Sequence, residues 1–229
     1  MTAAHAINLG VVPYAEAWEL QRTVAAEVAE GERPDTILLL EHPPTVTTGR
    51  RTDPGELHIP ADADVEVVET DRGGKSTYHG PGQLVCYPIF DLTRHGQDVK
   101  RYCRDLEEGL ILTLAKLGVE GERIDGLTGV WLTRPPRKIA SIGIHISKWV
   151  TTHGYALNVD LDPAPFTQWI TACGLEDAAF TTIAKELGRP ATVDEVRGPA
   201  LEALAEVFDL ELEAAPSRYA WTTDAFARS

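Results

Sequence analysis

The chain has 229 residues, 43% of them hydrophobic, and 21 Lys and Arg against 35 Asp and Glu give it a formal charge of −14. That length suits one compact core, and so acidic a surface repels phosphate backbones and anionic lipid at long range, which disfavours nucleic-acid and membrane partners. No apolar run reaches the roughly 18 to 20 residues of a spanning helix, MTAAHAINLG lacks the pattern of a secretory signal, and three cysteines without a CxxC pair argue against disulfides, structural zinc or any other metal site, so a cytosolic location is expected.

Along the chain, Tyr14 to Glu30 reads as a helix: Trp18, Gln21, Val24, Ala25 and Val28 recur on one face and Gly31 stops it. TILLLE (Thr36 to Glu41) and TVTT (Thr45 to Thr48) read as strands, followed by a long loop from Gly49 to Ala63. Val65 to Thr70 and Gln83 to Tyr87 are further strands, on either side of RGGKSTYHGPG. Val99 to Leu117 is the strongest helix, with Asp98 as N-cap and an apolar stripe of Val99, Cys103, Leu106, Leu110, Ile111, Leu114 and Leu117, which makes Cys103 a core residue. Cys86, in LVCYPI, reads as core too. Strands at Gly129 to Leu132, Ile139 to Ile146 and Tyr155 to Val159 follow one another without helices, which predicts antiparallel pairing and an α+β fold. TVDE (Thr192 to Glu195) is a capping box opening a helix to about Phe208 that Gly198 and Pro199 should bend or interrupt. Residues 1–215 are expected to form a single domain and 216–229 a loosely held tail.

Three segments carry chemistry. In RGGKSTYHGPGQ (Arg72 to Gln83) the glycines either make tight turns or let the backbone wall a narrow slot; a phosphate-binding P-loop is excluded because Glu69 stands where its first glycine belongs. Lys138 opens KIASIGI, where loss of hydration would favour its neutral form, unless its head reaches solvent. Cys173 in ITACGLED sits beside Gly174, outside any helical or strand period, so it is either an open thiol nucleophile or a partly buried loop cysteine. Lys138, His79, His145 and His153 are its candidate partners, and a generic Cys/His hydrolase using His79 or His153 stays open on residue types alone.

LLLEHPPTVTTGRR, RGGKSTYHGPGQLVCYPI, KIASIGIHI continuing to HGYALNV, and CGL resemble, in order and spacing, the octanoyltransferases of lipoic acid synthesis, from about Gly10 to about Phe208. The resemblance implies a mixed, largely antiparallel sheet flanked by helices, like the catalytic domain of biotin and lipoate protein ligases. It implies Cys173 as nucleophile and Lys138 as essential lysine, with an acyl pocket of Arg72, Gly73, Gly74, Lys75, Ser76, Thr77, Tyr78, His79, Ser141, Ile142, Gly143, Gly154, Tyr155 and Ala156. It further implies transfer of octanoyl from octanoyl-acyl carrier protein to the target lysine of lipoyl domains, those of 2-oxoacid dehydrogenase E2 subunits and the glycine cleavage H protein, with no cofactor. One departure is Ala172, where many members carry proline before the nucleophile. An ATP-dependent ligase on the same fold, or a non-catalytic module binding acyl carrier or lipoyl domains, are the alternatives.

Overall fold

The computed structural model describes residues 1–171 and 179–216. In chain order its first half comprises β1 (Thr2–Val11), α1 (Tyr14–Ala29), β2 (Asp35–Glu41), β3 (Thr45–Thr48), β4 (Glu66–Glu69), β5 (Thr77–His79), β6 (Gln83–Ile89) and α2 (Val99–Lys116). The second half comprises β7 (Glu122–Ile124), β8 (Leu127–Thr133), β9 (Pro136–Ser147), β10 (Val150–Asn158), α3 (Pro165–Gln168), α4 (Ile183–Leu187), α5 (Val193–Phe208) and β11 (Leu210–Ala214). Eight strands form one sheet in the order β11-β1-β2-β6-β10-β9-β8-β7, and β4-β3-β5 form a small second sheet. From β2 to β7 every neighbour in the large sheet is antiparallel, whereas β1 pairs in parallel with both β2 and β11. This is the expected α+β architecture with a parallel margin added. No helix among the described residues is long and apolar enough to cross a membrane.

The helices sort by face. Leu38, Leu40, Val85, Tyr87, Ile89 and Ala156 point toward α1, whose Ala17, Leu20, Val24 and Val28 pack on them. The alternate positions Ile37, Leu39, Leu84, Cys86, Tyr155 and Leu157 point the other way and join α2 and α5 in the main core. Asp98 caps α2 as expected, accepting from the backbone N–H of Lys100 and Arg101. The buried stripe of α2 is shifted from the expected one, however: Tyr102, Leu106, Leu110 and Leu114 are buried, Val99 is exposed and Cys103 only half-buried. Helix α5 also departs from expectation, because it runs on through Gly198 and Pro199 without a break. Its Thr192–Glu195 capping box secures the start, and Ala200, Ala203 and Leu204 bury completely, Leu204 over Gly109 of α2. That packing outweighs the one intrahelical bond that proline removes.

Strands β1, β7 and β11 were not foreseen, since TAAHAINLGV and LELEA have few β-branched or aromatic residues. The loop after β3 holds one short 3-10 turn, Pro54–Glu56. The expected tail lies, beyond Pro216, outside the described residues.

Candidate active site

The sheet face toward α1 changes character at β10 and β9. There the inward positions are Ala156 and Gly154, paired with Ser141 and Gly143, so the floor is made of small residues instead of leucines. A Cβ on Gly143 would lie 3.0 Å from Gly73 O and 3.2 Å from Arg72 Cδ, which shows how closely the glycine-rich loop approaches from above. The Gly73 N–H donates to Ile144 O (2.9 Å), and Gly74 sits at φ 92°, a left-handed value suited to glycine. Between floor and loop lies a cavity of about 380 Å³.

Lys138 enters this cavity because of a β-bulge. Val130 pairs with Ala140 while Trp131 pairs with Lys138, leaving Ile139 as an extra residue in β9. Strict alternation would set Lys138 and Ser141 on opposite faces; the inserted residue brings them to the same one, while Ile139 and Ala140 both turn into the main core. Lys138 is 4% exposed, and its Nζ lies 5.2 Å from the centroid of the Trp131 ring. Gly129, at φ 109°, makes room for it: a Cβ there would meet Lys138 Cε at 2.8 Å. The buried Glu107 of α2 holds Gly129 by accepting its backbone N–H at 3.1 Å.

Arg72 is an organiser of the loop. It is 6% exposed, and its guanidinium donates to Thr47 O and Oγ1 on β3 and to the carbonyls of Gly73 and Lys75. The Arg50 and Arg51 amides then bond the Arg72 and Gly74 carbonyls, joining the loop after β3 to the same wall.

Polar groups close the end of the cavity away from Lys138. His79 Nδ1 lies 2.8 Å from Gln83 Oε1, His153 bridges Tyr14 and Asp71, and His42 lies against Tyr87. Burial drives the pKa of His79 well below its ordinary value, and those of His42 and His153 down to about 4, so all three are neutral. Burial, opposed in part by the Arg72 charge, raises the Tyr14 phenol to about 12.

Lys138, Arg72, Gly73, Gly74, Lys75, Ser76, Thr77, His79, Ser141, Ile142, Gly143, Gly154, Tyr155 and Ala156 thus share one cavity. Tyr78 does not: on β5 Thr77 and His79 face the cavity, so Tyr78 points away, edge-on to Phe166 and Trp169. Cys103 lines the cavity edge instead of the core, its thiol pKa raised by burial and by Glu107. Cys86 is fully buried, as expected. Tyr14, Tyr87, Trp131 and Gly129 were missed; Tyr87, two positions from Val85 on a strand, carried the only periodic signal. Three cations of these segments are already engaged: Arg72 is buried, Lys75 pairs with Glu56, and Arg137 pairs with Glu186.

Cys173 lies outside the described residues; its flanks do not. The Thr171 N–H donates to Glu56 O (2.9 Å) and the His58 N–H to Trp169 O (2.8 Å). On the other side the Lys138 N–H donates to Ala179 O (2.8 Å), and Lys138 O accepts from the Thr181 N–H (3.0 Å).

Residues 13–205 match the profile of the lipoyl protein ligase A/B catalytic domain. An octanoyltransferase of Mycobacterium tuberculosis is 51% identical over 211 residues, covering 91% of this chain and 89% of the relative. One from Chloroflexus aurantiacus is 50% identical over 208 residues, covering 89% and 93%. Among solved structures, a bi-partite lipoate protein ligase of Thermoplasma acidophilum superimposes with a TM-score of 0.72 over 94% of this chain and 87% of its own, at 16% identity, a likeness of fold.

Proposed function

We propose, from the premise that this chain belongs to the lipoyl protein ligase A/B catalytic-domain family and within it to the octanoyltransferases, that it carries the octanoyl group as a thioester on Cys173. In this reading the donor is octanoyl-acyl carrier protein, and the acceptors are the target lysines of lipoyl domains in E2 subunits and the glycine cleavage H protein. The cytosol is the compartment, and no cofactor takes part.

The observation that carries the reading is the tether between Lys138 and the chain around Cys173. Thr171 is hydrogen-bonded two residues before it, and Ala179 is bonded to the Lys138 backbone itself. Lys138, buried beside a slot with a small-residue floor, is suited to take the thiol proton or to stabilise the thiolate.

The steps balance without ATP. Cys173 sulfur attacks the thioester carbonyl and the carrier's thiolate leaves, taking up the proton that Cys173 gave to Lys138. The target amine then attacks the new thioester, the amide forms, and Cys173 departs as thiolate, reprotonated from the attacking amine. Thioester exchange is nearly balanced and amide formation is downhill. The slot buries methylenes at about 0.8 kcal/mol each, so selectivity between neighbouring chain lengths is modest.

Incubation with octanoyl-acyl carrier protein followed by intact-mass measurement tests the reading. The expected result is one octanoyl addition to the native chain, removable by a lipoyl domain and absent in Cys173→Ser. A Cys173→Ser protein that still modifies the lipoyl domain, with or without ATP, would show that transfer does not pass through this thiol.

A further inference from the structure

We propose that Glu107, on α2 behind the sheet, is a positioning residue for Lys138: its carboxylate fixes the Gly129 peptide against which the lysine head rests, and through it sets the rate at which Cys173 is acylated. The inference rests on the octanoyl-transfer reading above and assigns a further residue to it.

Close approach carries the argument. The Lys138 backbone is held by Ala179 O and the Thr181 N–H, but its flexible four-carbon stem leaves the place of the amine to the walls around it. One wall is the Trp131 ring, whose centroid is 5.2 Å from Nζ. Another is Gly129: a Cβ built there would meet Lys138 Cε at 2.8 Å, Lys138 Nζ at 3.3 Å and Ala140 O at 2.4 Å. Gly129 therefore stands against both the lysine head and the backbone beside the bulge that turns this lysine into the cavity.

Gly129 has φ 109°, a value that favours glycine, and no side chain of its own to anchor it. Its N–H donates to Glu107 Oε1 at 3.1 Å. Glu107 is 2% exposed, and its other oxygen accepts from Arg104 Nη1 at 2.7 Å and from Arg123 Nε at 3.2 Å. Both oxygens are thus occupied, so the carboxylate cannot turn without losing a donor. Arg123 also donates to Arg104 O and to Glu108 Oε2, which joins β7 to α2 around the same group. Burying a carboxylate is costly, and a leucine at this point would extend the apolar stripe of Leu106, Leu110 and Leu114. What the carboxylate adds at its inner oxygen is the grip on the Gly129 amide. Misplacing a reacting group by about 1 Å can cost about 10²-fold in rate, so loosening that peptide should be felt at Cys173.

A double-mutant cycle tests this. The first-order rate of acyl-enzyme formation from saturating octanoyl-acyl carrier protein is followed by intact mass in the native chain, Glu107→Leu, Lys138→Ala and the double variant. A rate constant per competent molecule does not depend on the fraction folded. Glu107→Leu should slow acylation about 10- to 100-fold while the half-saturating donor concentration stays within about twofold of native. On the Lys138→Ala background the same change should alter the remaining rate by less than about threefold, because the group it positions is gone. Glu107→Gln, which keeps one oxygen for the Gly129 amide, should lose less than Glu107→Leu, and it takes the place of that variant in the cycle if Glu107→Leu does not fold. An equal factor with and without Lys138 would show a general structural role and overturn the inference, as would an unchanged rate for the variant that enters the cycle. A native chain that takes no octanoyl on Cys173 would instead overturn the functional reading, and this inference with it.

Discussion

The two faces of the large sheet are made from the same strands and serve opposite ends. Toward α2 and α5, Ile37, Leu39, Leu84, Leu157, Leu106, Leu110 and Leu204 leave nothing exposed. Toward α1 the aliphatic packing stops at β10, and glycine, alanine and serine give way to a slot roofed by the glycine-rich loop. Period-two alternation divides these roles, and one bulged residue, Ile139, moves a lysine from the sealed face to the open one. The cavity thus depends on local departures from regular packing, supported by a regular core behind them.

That contrast can be broken in graded steps. The largest effect is expected for Lys138→Ala, which should slow acyl-enzyme formation by roughly 10² to 10⁴-fold while the thermal melt stays close to native; intact-mass kinetics and calorimetry together check this. Leu110→Ala on the sealed face should do the reverse, costing about 2–5 kcal/mol in urea unfolding while activity per folded molecule is retained. Acid probes the open face alone. The folded pKa values of His42 and His153 are about 4, below the ordinary 6.5, so the unfolded chain binds more protons in that window. Stability should be complete above about pH 6.5 and decline as pH falls toward 4, by at most about 3 kcal/mol per histidine, an effect that a His42→Gln, His153→Gln variant would flatten.

A finer change is Gly143→Ala, whose Cβ must displace Gly73 O or Arg72 Cδ by a few tenths of an ångström. A several-fold higher KM for octanoyl donor with little change in melting is expected, and equal losses in both would show that the slot is not separately adjustable. The smallest effect should come from salt. Arg51 lines the cavity, and neither it nor its neighbour Arg50 has a carboxylate partner among the described ion pairs, so raising ionic strength should slow association with an acidic carrier a few-fold, and Arg51→Gln should reduce that slope.

Much of this was legible in the sequence, for reasons that differ by element. Helix α1, the Asp98 cap and the capping box of α5 are local signals and appear where expected, although the buried face of α1 takes in Ala17 and Leu20 and leaves Trp18 and Ala25 half-buried. Alanine-rich β1 carries no such signal, because its strand state comes from pairing with β2 and β11. Motif order marked the cavity walls well, yet it could not distinguish Tyr78, which turns outward, from its neighbours Thr77 and His79. It also could not reveal that Arg72 is consumed by Thr47 and two loop carbonyls, nor that Lys138 depends on an extra residue in β9, since both are consequences of register across strands distant in sequence. Glu107 shows the same limit: a carboxylate on a helix reads as solvated until Gly129, Arg104 and Arg123 are seen around it.

The short strand β11 covers the free side of β1 with a ribbon whose outer residues include Glu211 and Glu213. An uncovered β1 would present a row of unsatisfied amides and carbonyls, a template on which a second molecule could stack; two closely spaced negative charges discourage that union. Shortening the polypeptide to Phe208 is therefore a threat to solubility before it is a threat to turnover, and the first symptom should be slow clumping of otherwise competent enzyme.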